Sequence, residues 1–559
     1  MQTWLQYGEQ RKQAELIKDR NIQRGGIVRQ ESDLYLSVIP GAFDAADSQL
    51  ETSPSSDEQP TTPPSPPQKD DDSEKGVDLD GAKQKIHVKC EDDGKDQADP
   101  RNWSQAKKYW TTTILFVLVF SQGWVSACDT AVTKKDSAKF HVSRTAEDVS
   151  TAMFLLGISA GSLVAGPLSE ELGRNPVYLV PSIFYLCFTL GDALAPNYAA
   201  QIVFRFLAGL CASPTLSIYG GSLADIFETH ERQKLWPIFA LSPLLSPVLS
   251  PVAGGWIAEY ASWRWVYWAG LALSLATFLL AFFFLPETSS PMIIQWRTHH
   301  LRQITGNGNY TCQMEVGEGL GKRLAQNLTR PAKFFTTEPI IIALGLYLIV
   351  VYIVIFTFLN GFEFVFTDTY GLSSGIASLA FLGICLGALI STILGPLINK
   401  LYKRLSSSKK DGSKSDTPEA LLVPAIVASP FFAISVFWLG WTNFKSISYW
   451  SAHASTVLFG YSMAAIFVYS YSYIIHIYGT WSSSALGSVT MARYLFAAGM
   501  LVAARPMYQG IGVHWSSTFL GGLGVICLPV PFLLYTFGVK LRKKSQFIEV
   551  DDEEAGEKE

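Results

Sequence analysis

The chain has 559 residues, of which 48% are hydrophobic, 13% aromatic and only 16% charged, against roughly 25% charged in an average soluble domain. That balance excludes a soluble globular enzyme, a disordered protein and a collagen-like fibre, and a net charge of −4 offers no basic face to nucleic acid. Seven scattered cysteines without a C-x-x-C pair suggest neither a disulfide framework nor a zinc site, and nothing calls for another metal, a cofactor or an enzyme's nucleophile.

Residues 1–108 read as an acidic, Pro-rich cytoplasmic tail that cannot bury enough apolar surface to order itself, apart from a short solvated helix over 9–20. Apolar runs long enough to cross a bilayer as helix then fall near 109–128, 149–168, 176–195, 200–222, 235–257 and 264–285. After a polar stretch, 286–338, six more fall near 339–360, 375–398, 420–440, 450–474, 484–505 and 516–537, before a charged tail over 538–559. The third and fourth runs are joined by only four residues, Pro196 to Ala199, which makes them an antiparallel hairpin. Lys and Arg concentrate in the loops that are cytoplasmic if the N-terminus is, so both tails and the central loop are expected inside. Lys134, Lys135, Lys139 and Arg144 in the first outer loop run against that bias. The sequons at Asn102, Asn309 and Asn327 then face the cytoplasm, and none is expected to be glycosylated.

The second and eighth runs end alike, GPLSEELGR over 166–174 and GPLINKLYK over 395–403, each with a serine one turn earlier, Ser162 and Ser391. Small residues at spacing four let membrane helices approach closely. The expected fold is therefore an all-α membrane protein, twelve transmembrane helices in two pseudo-symmetric six-helix bundles over 109–285 and 339–537. Such a pair of repeats places a cavity at its interface and permits rocking between two openings.

Several motifs in order carry a resemblance: DPRNWS from Asp99, GPLSEELGR from Gly166, RFLAG from Arg205, the Pro/Gly-rich run 242–255, LPET from Leu285, PEAL from Pro418 and the segment around Trp515. The chain resembles a major facilitator superfamily transporter, and within it the fungal twelve-span drug:proton antiporters. The resemblance implies a cytoplasmic latch in which Glu170 and Arg174 pair with charges on neighbouring helices, Asp225 for instance, and a proton-coupling role for Arg205. Arg493, inside the eleventh run, receives the same argument on burial alone, since an arginine in hydrocarbon must face the bundle interior. Pro243, Pro247, Pro251, Gly254 and Gly255 resemble the motif that seals exporters against leak, with Ser246 and Ser250 where the family usually has glycine.

Departures bear on substrate. Where the family often carries a carboxylate near the outer end of span seven, this chain has Asn360, with Glu363 one turn later, and His476 replaces an aspartate at the inner end of span ten. Carboxylates read as few and peripheral: Asp192 and Glu363 near the outer rim, Asp129 and Asp368 further out. Phe356, Phe358, Tyr461, Tyr469, Tyr471 and Tyr473 suit flat or amphipathic ligands, and Glu363 and His476 are candidates to take up protons. The expected activity is proton-coupled export of small amphipathic drugs or secondary metabolites by alternating access. The alternatives are polyamine or organic-cation export and, in a different class, a nontransporting receptor or scaffold on the same fold. Expected partners are the lipid bilayer, a small-molecule substrate and protons, and the expected location is the plasma membrane, with the vacuolar membrane as the alternative.

Overall fold

Capping residues start the helices where polar sequence gives way to apolar runs. The Ser104 hydroxyl accepts from Lys107 N–H to open α2 (Gln105–Val125), Ser143 does the same for Ala146 at the head of α4 (Arg144–Leu172), and Asn197 accepts from Ala200 to open α6 (Tyr198–Ile226). Each satisfies a backbone donor that the first helical turn leaves without an intrahelical partner. These elements belong to a computed structural model, which describes residues 2–23, 86–88, 96, 99–312, 329–407, 417–545 and 547. Most of the expected tail, the Asn327 sequon, Cys90 and the end of the C-terminal tail lie outside the described residues.

The chain forms two compact units. The larger, residues 1–3, 103–289 and 318–559, is all-α. After α2 come α3 (Thr133–Phe140), α4, α5 (Arg174–Ala193), α6, α7 (Thr229–Phe239), α8 (Leu241–Tyr260) and α9 (Arg264–Phe284). The second half has α11 (Arg330–Thr337), α12 (Pro339–Phe362) with a π-helical turn Glu363–Asp368, α13 (Ser374–Ser378), α14 (Ala380–Ser407), α15 (Val423–Trp441), α16 (Tyr449–Tyr478), α17 (Ser482–Cys527) and α18 (Pro529–Arg542). Among the described residues, ten helical stretches are long and apolar enough to cross a membrane, against the twelve runs expected. The difference has two physical sources. Lys107, Lys108, Gln122 and three threonines dilute α2, and the 61-residue stretch Ser482–Arg542 counts once although Gly512, at φ 74°, turns the chain within it.

Internal pseudo-symmetry is clearest at two helix crossings. A Cβ on Gly157 of α4 would collide with the Phe206 carbonyl of α6, and one on Gly209 of α6 with the Phe154 carbonyl of α4. In the second half Gly387 of α14 meets the Val457 carbonyl of α16, and Gly460 of α16 the Ile384 carbonyl of α14. Four glycines thus bring backbone against backbone at matching places in the two halves. The repeated GPL segments behave differently from one another. Gly166 packs against Ser483 of α17, across the two halves, whereas Gly395 packs against Tyr469 of its own half.

The smaller unit comprises residues 4–102 and 290–317. Its α1 (Gln2–Gln23) is longer than the helix expected over 9–20 and is not fully solvated: Gln6, Gln10 and Ala14 are buried at spacing four. They face α10 (Ser290–Thr305), whose buried Arg297 binds Asp96 at 2.8 Å and receives Gln10 and Gln13 oxygens at 3.0 and 2.8 Å. A two-residue parallel ladder, β1 (Ile86–His87) with β2 (Tyr310–Thr311), completes it. The tail is therefore not without structure throughout, because two glutamines reaching a buried guanidinium offset the cost of ordering the helix.

Candidate functional site

The first half buries a network of charge around Arg205. Its Nη2 stands 3.0 Å from Asp129 Oδ2 and its Nε 2.9 Å from Asp192 Oδ2, while Nη1 donates to the Val125 carbonyl at 3.0 Å. Thr151 donates to Asp129 at 2.7 Å. The Arg205 guanidinium lies 5.1 Å from the centre of the Tyr267 ring, and the Tyr267 hydroxyl donates to Asp136 at 2.9 Å. Gln201 joins the same hydroxyl to Glu147, donating to the carboxylate at 2.9 Å. Asp129, Asp136, Glu147 and Asp192 are all buried. Asp129, in the turn after α2, and Asp192, in the last turn of α5, stand at span ends but are buried there, because a buried guanidinium needs counter-charge.

Asp136, on the short α3 outside the candidate spans, is pushed up to about 8, chiefly by burial, with Glu147 and Asp129 raising it further and Tyr267 and Arg205 opposing. Folding therefore favours its neutral form, and the stability this carries is fully present below about 3.8 and is lost progressively as pH rises from there through about 8. Thermal unfolding of the purified protein should show a lower midpoint above that pH than below it. Asp136→Asn should flatten the slope; an unchanged slope would refute the assignment.

A second set of charges crosses between the halves. Arg505 of α17 binds Asp148 of α4 at 2.8 Å and Glu363 at 3.3 Å, and Arg144 of α4 binds the other Glu363 oxygen at 3.1 Å. Glu147 and Asp148 are consecutive, so α4 turns one carboxylate to the Arg205 network and the next to the opposite half. Asn360 donates to the Leu501 carbonyl at 3.1 Å and so ties α12 to α17, and Glu363 is held between two arginines. Two of the cations that run against the expected charge bias make specific contacts: Arg144 in this bridge, and Lys135 donating to the Ala258 and Ala261 carbonyls at the end of α8.

At the other end of α4, Arg174 binds Asp225 at 3.0 Å and Ser169 at 2.6 Å. Glu170 reaches elsewhere, with Ser484 of α17 at 3.5 Å and Arg330 of α11 at 3.8 Å. Glu287, from the LPET segment, accepts the Arg174 and Asn175 backbone N–H groups at 2.9 and 3.0 Å, capping α5. Burial raises the Glu287 carboxyl while those backbone donors oppose the rise. In the second half the PEAL carboxylate, Glu419, binds Arg542 at 2.9 Å and accepts from Tyr473 at 3.5 Å.

Pro243, Pro247 and Pro251 lie along α8, whose Gly254 packs on the Cys128 carbonyl of its own half while Gly255 meets Ser374 and Ser378 of the other. Tyr469 and His476 line a cavity of about 820 Å³ between α7, α14 and α16. Asp368 ends the π-helical turn. Among the described residues, no acid pairs with Arg493. It is buried among Tyr352, Phe467, Tyr471 and Tyr494, 4.4 to 5.3 Å from their ring centres.

Asp136, Glu147, Asp148, Gln201, Tyr267 and Arg505 enter these networks without a sequence motif to mark them. The adjacent acids at 147 and 148, heading an apolar run, were the available signal.

Residues 109–501 match the family model described as Major Facilitator Superfamily. The chain belongs to the major facilitator superfamily. It is 40% identical over 455 residues to the MFS-type transporter kojT of Aspergillus oryzae, covering 81% of each chain. With the multidrug transporter mdrA of Aspergillus fumigatus it shares 31% identity over 460 residues, covering 81% of this chain and 75% of the relative. Among solved structures, the proton:xylose symporter XylE aligns at a TM-score of 0.57 and 15% identity, over 78% of this chain and 96% of that one. At that identity the likeness is one of fold. Like its relatives, this superfamily member is a multi-pass membrane protein of the transporter class, and no cluster suited to a metal ion occurs among its described residues.

Proposed function

We propose that the chain is a proton-coupled exporter of small amphipathic compounds that works by alternating access between two six-helix bundles, over 109–285 and 339–537. In this reading α2 is the first of twelve spans, the turn at Gly512 separates the last two, and both termini face the cytoplasm, with the plasma membrane as the site of action. The single observation carrying it is the Arg205 network. Of four buried carboxyls, Asp129 and Asp192 pair with the one guanidinium while Glu147 and Asp136 are met by the neutral Gln201 and Tyr267, so full ionisation would leave buried negative charge without compensation, and protons are the available remedy. The network also adjoins the Asp148–Arg505–Glu363 bridge through consecutive residues, which supplies a route from proton uptake to the contact between the halves. Multidrug transport by a relative agrees with export.

The test is export from cells expressing the chain. Adding a protonophore, or raising external pH to abolish the inward proton gradient, is expected to stop accumulation outside. Export that continues undiminished with the gradient collapsed defeats proton coupling. Tags placed at the two ends of the chain should be reached only from the cytoplasmic side.

A further inference from the structure

The buried arginines differ in one respect. Arg174, Arg205, Arg297, Arg505 and Arg542 each bind a carboxylate. Arg493 does not: it is 1% exposed, no ion pair to it occurs among the described residues, and its Nε and Nη1 have no hydrogen-bond partner. Aromatic faces at 4.4 to 5.3 Å ease the burial of a cation but cannot satisfy N–H donors directed along the guanidinium plane. A buried guanidinium held ready in this way is matched by an oxyanion, to which it presents a planar fork of donors.

A second observation points the same way. The cavity of about 820 Å³ is lined by Lys234, Lys400, Lys403, Arg404, His230 and His476 and, among the described residues, by no carboxylate. Its wall includes Trp236, which is buried between Tyr219 and Tyr471 with ring centres 5.8 and 6.3 Å away and donates to the Val468 carbonyl at 2.8 Å. Tyr471 in turn faces Arg493. A run of side-chain contacts therefore leads from the basic vestibule through the stacked Trp236 and Tyr471 to Arg493, whose hydrogen bond with Tyr494 leaves Nε and Nη1 without a partner. A bias of cations toward the cytoplasm accounts for lysines at helix ends; it accounts neither for the lack of acids in this cavity nor for Arg493.

We propose that the exported compound is a small organic anion, a flat conjugated ring bearing a carboxylate, which the vestibule concentrates and Arg493 binds between the aromatic faces. This rests on the export reading above and names its substrate class. Clefts lined by one sign of charge raise the local concentration of the opposite ion, an effect that salt screens.

The test uses the purified full chain in vesicles with an imposed proton gradient and three probes of matched shape: 4-hydroxybenzoate, 4-hydroxybenzamide and 4-hydroxybenzylamine. Transport of the carboxylate is expected to exceed that of the amide and the amine at least tenfold. Arg493→Gln is expected to remove that preference and Arg493→Lys to keep part of it. Because a core change can impair folding, the triple variant K400Q/K403Q/R404Q, at exposed positions, supplies a second reading: KM for the carboxylate should rise severalfold, its salt dependence should flatten, and kcat should hold. Equal transport of the three probes, preference for the amine, or no carriage of the carboxylate overturns the anion assignment. Carboxylate transport that ignores the gradient leaves that assignment standing and defeats proton coupling instead.

Discussion

Arg205→Gln is expected to abolish gradient-driven export, lowering it at least a hundredfold, while leaving chain that inserts in the membrane. Removing the guanidinium strips Asp129 and Asp192 of their buried partner, a change that costs about 3–5 kcal/mol when the stranded charge stays ionised. Two protons relieve that cost, so the variant should be held in a protonated arrangement that no longer responds to the gradient. Proton flux measured beside substrate flux checks this: both should fall together. Full substrate flux with normal proton movement would remove Arg205 from the coupling machinery. Asp129→Asn separates the effects, since it deletes one acid yet keeps Arg205 paired through Asp192.

Gly209→Leu is expected to eliminate folded protein, and Gly209→Ala to lower its yield steeply. Even a Cβ at this position lies within the contact radius of the Phe154 carbonyl, which is helix backbone and has no rotamer to change. Overpacking a core costs about 1–3 kcal/mol where side chains can shift, and here they cannot. Gly460→Ala should match it, because that residue meets the Ile384 carbonyl in the same manner. Detergent-extracted protein followed by size-exclusion chromatography reads the outcome. A monodisperse Gly209→Leu variant at normal yield would mean the α4–α6 crossing is looser than the geometry states. Gly522, whose Cβ would meet nothing within 4 Å, is the control.

Much of the architecture could be read from apolar runs alone, since spans announce themselves by length. Five of the twelve expected runs lie wholly within one helix, among them 149–168 within Arg144–Leu172 and 450–474 within Tyr449–Tyr478, and the other seven overrun a helix end by up to three residues or straddle a break between two helical segments. Ends were less legible: helices extend past the hydrocarbon-like stretch, and α4 begins at Arg144 because Ser143 caps it there. The pairing of Arg174 with Asp225 followed from motif position. The Arg205 network did not, because its members at 129, 136, 147, 192 and 205 belong to four α-helices and a short 3-10 turn, and periodicity speaks only within one helix. Asp129 and Asp136 read as loop acids beside lysines, a pattern that ordinarily means water. Arg493 was legible as buried, but its want of an acid was not, since partners are a tertiary property.

The glycine-lined crossings of α4 with α6 and of α14 with α16 have a mechanical consequence. Backbone pressed on backbone has almost no compliance, so each of these helix pairs should behave as a stiff beam. Deformation then concentrates in softer joints, the polar bridge at Arg505 and the stacked ring of Trp236, where side chains can be released one at a time. Second-site revertants of sluggish variants should cluster along that seam and leave the beams untouched.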